Sequence, residues 1–66
     1  MENLYPSAIR RLRAKLNISQ TELASLLGVS YTSVNRWEKG HHEPTVIMKE
    51  KLKELFKANG IPSEDN

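Results

Sequence analysis

Four hydrogen-bonding side chains recur at helical spacing in the middle of the chain: Tyr31, Thr32, Asn35 and Arg36. Residues four apart are neighbours on the surface of an α-helix, so these positions form one face. The apolar residues Val34 and Trp37 can anchor the same helix in a core and leave that face pointing outward. The exposed face then offers hydroxyl, amide and guanidinium groups to a partner. This is the chemistry of recognition by hydrogen bonds.

Groups suited to catalysis or metal binding are present but are not arranged for either. Serine, threonine and histidine all occur, yet nothing in their spacing supports a catalytic triad. His41, His42 and Glu43 are consecutive, so their side chains point apart, and no further ligand has a suitable spacing for a metal. A chain of 66 residues also has little scaffold for a concave substrate pocket. We predict that the protein is not an enzyme and has no catalytic residue, metal or cofactor.

Length and composition exclude other classes of protein. Sixty-six residues make one small domain at most. Because there is no cysteine, the chain cannot be a disulfide scaffold or hold a thiolate metal cluster. No apolar run approaches the roughly 20 residues of a membrane span, so we expect no membrane partner. The net charge is +2, of which the last nine residues contribute −2, so residues 1–57 carry +4, which suits a polyanionic partner.

Two outer helices are predicted from apolar residues at helical spacing. Helix one spans about residues 7–16, with Pro6 at its start and Asn17 as its stop. Helix four begins after Thr45, which can cap it, and ends before Asn59 and the glycine that follows. The apolar residues are Ile9, Leu12 and Leu16 in helix one, and Met48, Leu52, Leu55 and Phe56 in helix four.

Two inner helices are predicted from the chemistry of their ends. Ser19 and Glu22 have the spacing of a capping box and open helix two, which Gly28 ends after barely two turns. Ser30 caps helix three, and Gly40 ends it. No segment alternates like a strand. The sequence therefore predicts an all-α fold, a compact bundle of four short helices whose second and third helices form a helix-turn-helix.

The segment from helix two to the end of helix three resembles the phage Cro and repressor type of helix-turn-helix domain, also called lambda-repressor-like or XRE-type. The similar runs are Gln20-Thr21-Glu22-Leu23-Ala24, Leu27-Gly28-Val29-Ser30 and Val34-Asn35-Arg36-Trp37-Glu38-Lys39-Gly40. With helices one and four, the resemblance covers about residues 7–57. It implies a DNA-binding domain whose third helix lies in the major groove.

The resemblance assigns base reading to the outward face of helix three, that is to Tyr31, Thr32, Asn35 and Arg36. Arg36 has the fork that matches guanine O6 and N7, and Thr32 has a methyl group for thymine. Asn35 contacts either a base edge or a phosphate. The family pattern does not decide between these two roles for Asn35.

The resemblance also implies contacts to the phosphate backbone. Gln20 matches the position that holds a phosphate at the start of helix two, with Ser19 beside it, and free N–H groups at a helix start favour an anion. Ser30 lies next to the reading positions. Lys39 matches a backbone-contacting position at the end of helix three. These four residues are the expected phosphate ligands.

One charged pair is predicted to be structural. Arg13 lies within the apolar stripe of helix one, and Glu38 lies at the edge of the inner face of helix three. Charges in such positions are normally paired, and the resemblance pairs the same two positions. We predict a salt bridge that joins helix one to helix three.

The chain divides into an N-terminal arm (1–6), the helix-turn-helix domain (7–57) and a polar C-terminal tail (58–66). Repressors of this type commonly continue into a fifth helix that packs two subunits together. Beyond helix four only Ile61 is available as an apolar anchor, so we expect that helix to be missing or vestigial. The chain is then expected to be a monomer, with a dimer possible on DNA or through sequence that is not present.

The function that these features predict is sequence-specific binding of double-stranded DNA by a prokaryotic or phage transcriptional regulator. Such a protein would be cytoplasmic and associated with the nucleoid. Two alternatives remain: a DNA-targeting module of a larger DNA-modifying enzyme, and an antitoxin-like domain that binds a protein. Leu26, which projects away from the inner stripe of helix two, would suit the last of these.

Overall fold

Four α-helices make up the computed structural model, which describes residues 3–62. They are α1 (Tyr5–Leu16), α2 (Gln20–Leu27), α3 (Tyr31–Lys39) and α4 (Val46–Ala58). No strand occurs within the described range. The all-α class and the four-helix order predicted from the sequence are confirmed.

Side chains at the starts of α2, α3 and α4 satisfy backbone N–H groups that the helices leave free. Ser19 Oγ accepts a hydrogen bond from the Glu22 N–H at 3.0 Å, and Glu22 Oε1 accepts one from the Ser19 N–H at 2.8 Å. This is the reciprocal capping box predicted from the spacing. Ser30 and Thr45 each accept a hydrogen bond from the backbone N–H three residues further along, at 3.1 and 3.3 Å. Local chemistry therefore fixes where three helices begin.

The turn between α2 and α3 depends on Gly28. This residue ends α2 with φ of +75°, and a Cβ added there would meet no atom within 4 Å. A side chain at this position would not collide with any neighbouring group. The left-handed backbone conformation is therefore the reason that glycine is favoured here. Asn17 adopts a similar conformation at the end of α1, with φ of 58°, as its sequence position predicts.

Helix α1 begins at Tyr5, two residues before the predicted start at Ser7. The reason is tertiary packing, because Tyr5 is only 2% exposed and its ring centroid lies 6.2 Å from that of Phe56 on α4. The predicted arm therefore contributes part of the core. Residues 1–2 of that arm lie outside the described range.

Ile61, which the sequence offered as an anchor for a second subunit, is buried within the protomer. It is 8% exposed, and its N–H donates a hydrogen bond to the Phe56 carbonyl at 2.8 Å. Residue 61 of the predicted tail (58–66) therefore packs in the core. Residues 63–66 of that tail lie outside the described range.

One core receives side chains from all four helices. Trp37 is 5% exposed and belongs to this core, as predicted, whereas Leu16 is only partly buried at its edge. The other buried apolar residues of this core are Tyr5, Ala8, Ile9, Leu12, Leu23, Ala24, Leu27, Val34, Leu52, Phe56 and Ile61.

Within residues 3–62, no helix is both long enough and apolar enough to cross a bilayer.

Candidate nucleic-acid interface

Helix α3 packs one side against the core and turns the other side toward solvent. Val34, Trp37 and Glu38 are buried, with exposed fractions of 0, 5 and 6%. An inner side held in this way fixes the rotation of the helix about its axis. The outer side carries the four predicted reading residues: Tyr31, Thr32 and Arg36 are exposed, and Asn35 is half-buried.

A bidentate ion pair joins α1 to α3. Arg13 Nε donates a hydrogen bond to Glu38 Oε2 at 2.6 Å, and Arg13 Nη2 donates one to Glu38 Oε1 at 3.0 Å. Arg13 Nη1 also donates to the Ile18 carbonyl at 3.3 Å. The two charged residues are the pair that the sequence analysis brings together, and their fork geometry is the stronger kind of ion pair.

The surroundings of Glu38 keep its carboxylate charged. Burial acts to raise the pKa of Glu38, but hydrogen bonds from Arg13 and Gln20 and the charges of Arg13 and Arg10 act against burial. The net result is a pKa below the ordinary value for glutamate. On the other partner, the hydrogen bond to Glu38 raises the pKa of the Arg13 guanidinium, against the effect of burial. The pair is therefore ionised at neutral pH.

A second contact holds the end of α3 to α1. Arg10 Nη1 donates a hydrogen bond to the backbone carbonyl of Glu38 at 2.7 Å. A cation near the last carbonyl groups of a helix is favourable because these groups carry a partial negative charge. The contact gives Arg10 a role within the fold. In the structure it stabilises the C-terminal turn of α3.

Gln20 connects the buried ion pair to the outer face of α3. Its Nε2 donates a hydrogen bond to Glu38 Oε1 at 3.0 Å, and its Oε1 accepts one from Asn35 Nδ2 at 3.3 Å. Asn35 Nδ2 also lies 3.5 Å from the Tyr31 hydroxyl. Sequence reasoning assigned Gln20 only to a phosphate and missed these contacts. No local pattern signals them, because they join residues on two helices that meet only in the folded chain.

The other predicted phosphate ligands have different surroundings. The hydroxyl groups of Ser19 and Ser30 serve as helix caps, and Ser30 Oγ also lies 3.1 Å from Ser33 Oγ. Lys39 is exposed as the last residue of α3. A role in phosphate contact stays a prediction for all of them.

The loop before α4 carries the two histidines. His41, His42 and Glu43 are exposed, and Glu43 forms a salt bridge with Lys49 at 2.7 Å. Among residues 3–62, no group of three or more histidine, cysteine, aspartate or glutamate side chains is placed to hold a metal ion.

Comparison with known proteins agrees with this arrangement of two helices around a glycine turn. A family model described as helix-turn-helix matches residues 9–65. The chain belongs to the helix-turn-helix family. The resemblance to XRE-type domains is thereby confirmed, with α2 and α3 as the two helices of the motif. Membership classes this helix-turn-helix protein with DNA-binding regulators.

A relative from Pyrococcus furiosus has a provisional name, HTH-type transcriptional regulatory protein. It is 46% identical to this helix-turn-helix protein over 48 residues. The match covers 73% of the present chain but only 15% of the relative. No solved structure gives a significant match.

Proposed function

We propose that this helix-turn-helix protein binds double-stranded DNA at specific sequences by inserting the outer face of α3 into the major groove. The observation that carries the proposal is the two-sided character of α3. Its inner side is fixed by Val34, Trp37 and the ionised Glu38, while Tyr31 and Arg36 point outward. A reading helix must present base-contacting groups without rotating about its axis, and this arrangement meets that need.

The side chains on α3 have the chemistry to distinguish base pairs. Arg36 donates in a bidentate fork to guanine O6 and N7, and Thr32 packs its methyl group against that of thymine. Tyr31, which is 51% exposed, lies at the first turn of α3. Helix-turn-helix proteins make their base contacts mainly from this end of the second motif helix.

Contacts to the phosphate backbone would set the register of α3 in the groove. The first turn of α2, at Ser19 and Gln20, presents backbone N–H groups that suit a phosphate oxygen. Ser30 and Lys39 lie at the two ends of α3. Lys39 supplies a positive charge, and the net charge of the chain is +2. These contacts add affinity that is independent of sequence.

The role as a transcriptional regulator is supported by the family and by the name of the relative from Pyrococcus furiosus. A regulator that acts on chromosomal DNA would be found with the nucleoid in the cytoplasm. The match covers only 15% of that relative, so the activity of the longer protein is not transferred to this chain.

Selection from a pool of randomised DNA duplexes tests the proposal. The folded protein should enrich a short motif that contains a guanine for Arg36. The double variant Thr32→Ala/Arg36→Ala alters only exposed positions, so it should keep its helical circular dichroism. It should nevertheless lose that enrichment. Failure of the folded wild type to enrich any motif would refute the proposal and favour a protein-binding role.

A further inference from the structure

A chain of hydrogen bonds runs from Glu38 through Gln20 to Asn35 on the outer face of α3. The charge on Glu38 fixes the direction of each hydrogen bond in this chain. An ionised carboxylate can only accept hydrogen bonds. Because Glu38 Oε1 lies 3.0 Å from the Gln20 amide, the Gln20 atom facing it must be the Nε2 donor. The Gln20 carbonyl oxygen therefore faces the other way, toward Asn35.

The same reasoning fixes the orientation of the Asn35 amide. Gln20 Oε1 is an acceptor, so the Asn35 atom that lies 3.3 Å from it must be the Nδ2 donor. The same nitrogen is the atom near the Tyr31 hydroxyl, at 3.5 Å. The Asn35 carbonyl oxygen, Oδ1, is left with no hydrogen bond to any residue in the described range 3–62. Asn35 is half-buried, so this oxygen belongs to a side chain held in place beside the exposed reading residues.

We propose that Gln20 is a positioning residue that orients Asn35 so that its carbonyl oxygen accepts a hydrogen bond from the exocyclic amine of adenine or cytosine in the major groove. The inference rests on the proposed function and adds to it a base preference and a role for Gln20. A free asparagine amide can present either its donor or its acceptor after a 180° rotation of the amide. The contact with Gln20 Oε1, which can only accept, removes that freedom, and the Tyr31 hydroxyl, which can donate or accept, is compatible with the result.

The expected discrimination follows from the groups that base pairs present in the major groove. Adenine N6 and cytosine N4 are donors and match an acceptor, whereas guanine O6 and thymine O4 are acceptors and do not. Two acceptors that face each other in a desolvated contact leave both unsatisfied, which is unfavourable. Each base pair presents one such amine and one such carbonyl, so Asn35 should prefer, at one position of the site, the orientation of the base pair that places the amine against its carbonyl oxygen.

The first experiment locates that position and identifies its base. Randomised duplexes are selected with the wild type and with Asn35→Ala, and the position at which the variant loses preference is the one that Asn35 reads. Every base pair offers one amine, on adenine or on cytosine, so the base pair selected there identifies which amine to remove. That amine is then removed by replacing adenine with unsubstituted purine, or cytosine with pyrimidin-2-one, each of which lacks only the amine. Wild-type affinity should fall roughly two- to tenfold, the effect of one hydrogen bond, and Asn35→Ala should be insensitive to the replacement.

The second experiment tests the positioning role of Gln20. Gln20→Met keeps the length of the side chain but removes both hydrogen bonds, so Asn35 can rotate and the preference for an amine over a carbonyl should shrink at that one position. Preference at the guanine read by Arg36 should not change. Thr21→Ala, at the neighbouring exposed position of α2, is the matched control and should leave both preferences intact. Thermal melts establish that each variant is folded.

The outcomes separate this inference from the function on which it rests. If the folded wild type enriches no motif, the proposed DNA reading fails and the inference falls with it. If a motif appears but Asn35→Ala flattens no position, or removing the amine from the base pair at that position leaves the wild-type affinity unchanged, only the inference is overturned. Equal weakening of all sequences by Gln20→Met would make Gln20 a phosphate contact and would equally overturn it.

Discussion

At the scale of single residues, Glu38 joins α3 to both α1 and α2. Its carboxylate accepts hydrogen bonds from Arg13 and Gln20, and its backbone carbonyl accepts one from Arg10. Only 6% of the residue is exposed. A charge buried to this extent is tolerated because it is paired and hydrogen-bonded. Its loss should therefore disturb both stability and the placement of α3.

Glu38→Gln should destabilise the fold, since it leaves the Arg13 guanidinium without a counter-charge in a partly buried site. Removing one partner of a buried pair costs about 3–5 kcal/mol, and we expect the lower end because the Arg13 side chain is 24% exposed. Urea unfolding measures the difference. The exposed Glu54→Gln on α4 removes the same charge and is the control; equal midpoints for the two variants would show that the ion pair does not stabilise the fold.

The stability of the wild type should fall in acid because of the same residue. The pKa of Glu38 is lower in the folded protein than its ordinary value, so its contribution is fully present above the pKa of the unfolded chain, about 4.3 for a glutamate. This contribution is lost as the pH falls through the lowered folded-state pKa, where Glu38 takes up a proton. The difference in melting temperature between wild type and Glu38→Gln should shrink across that range. A difference that stays constant down to the acid limit would contradict this assignment.

At the scale of helices, hydrogen bonds between residues close in the chain fix the starts of α2, α3 and α4, whereas tertiary packing fixes the start of α1. The caps at Ser19, Ser30 and Thr45 were predicted correctly because each depends on a hydrogen bond to a residue three positions away. The start of α1 was not predicted, because Tyr5 is helical where its ring packs on Phe56, far along the chain. The same limit applies to Ile61, whose burial depends on the assembled core.

The contacts of Gln20 are the part of the candidate site that could not be predicted from the sequence. The spacing on α3 predicted which residues face outward, since that depends on the helical period alone. The pairing of Arg13 with Glu38 was accessible through the resemblance and the apolar stripe. The hydrogen bonds from Gln20 to Glu38 and Asn35 depend on how α2 packs against α3, which no spacing within either helix reveals.

Gly28→Ala should destabilise the turn between α2 and α3 by about 1 kcal/mol, the order of the cost of a left-handed backbone for a residue with a Cβ. No atom lies within 4 Å of the added Cβ, so the whole cost is conformational. Gly28→Asn should recover part of the loss because asparagine tolerates this conformation. Thermal melts compare the three proteins. A melting temperature for Gly28→Ala equal to that of the wild type would show that the turn does not require a positive φ.

At the scale of the whole molecule, the proposed function requires two kinds of contact with DNA, sequence-independent attraction to phosphates and base reading. The chain carries a net charge of +2, and each cation that meets a phosphate releases counterions from DNA. In the proposed function, the outer face of α3 supplies the discrimination between sequences. Because α3 is joined to α1 by the Arg13–Glu38 pair and to the core by Trp37, both kinds of proposed contact would come from one folded unit.

Lys39→Ala should weaken binding to all sequences to a similar extent. Loss of one phosphate-paired cation reduces the slope of log affinity against log salt concentration by about 1. Fluorescence anisotropy at several salt concentrations gives the slope. Lys57→Ala removes the same charge from an exposed position near the end of α4 and serves as the control. An unchanged slope for Lys39→Ala would place Lys39 away from the phosphate backbone.

The most direct test of base reading by α3 is the affinity of wild type and Arg36→Ala for the selected site and for every single-base variant of it. Fluorescence anisotropy on this set gives the preference at each position. We predict that Arg36→Ala loses about 1–3 kcal/mol of discrimination at one guanine and keeps the wild-type preferences at the other positions. A uniform loss of affinity across all sites would make Arg36 a backbone contact and would contradict the assignment of α3 as the reading helix.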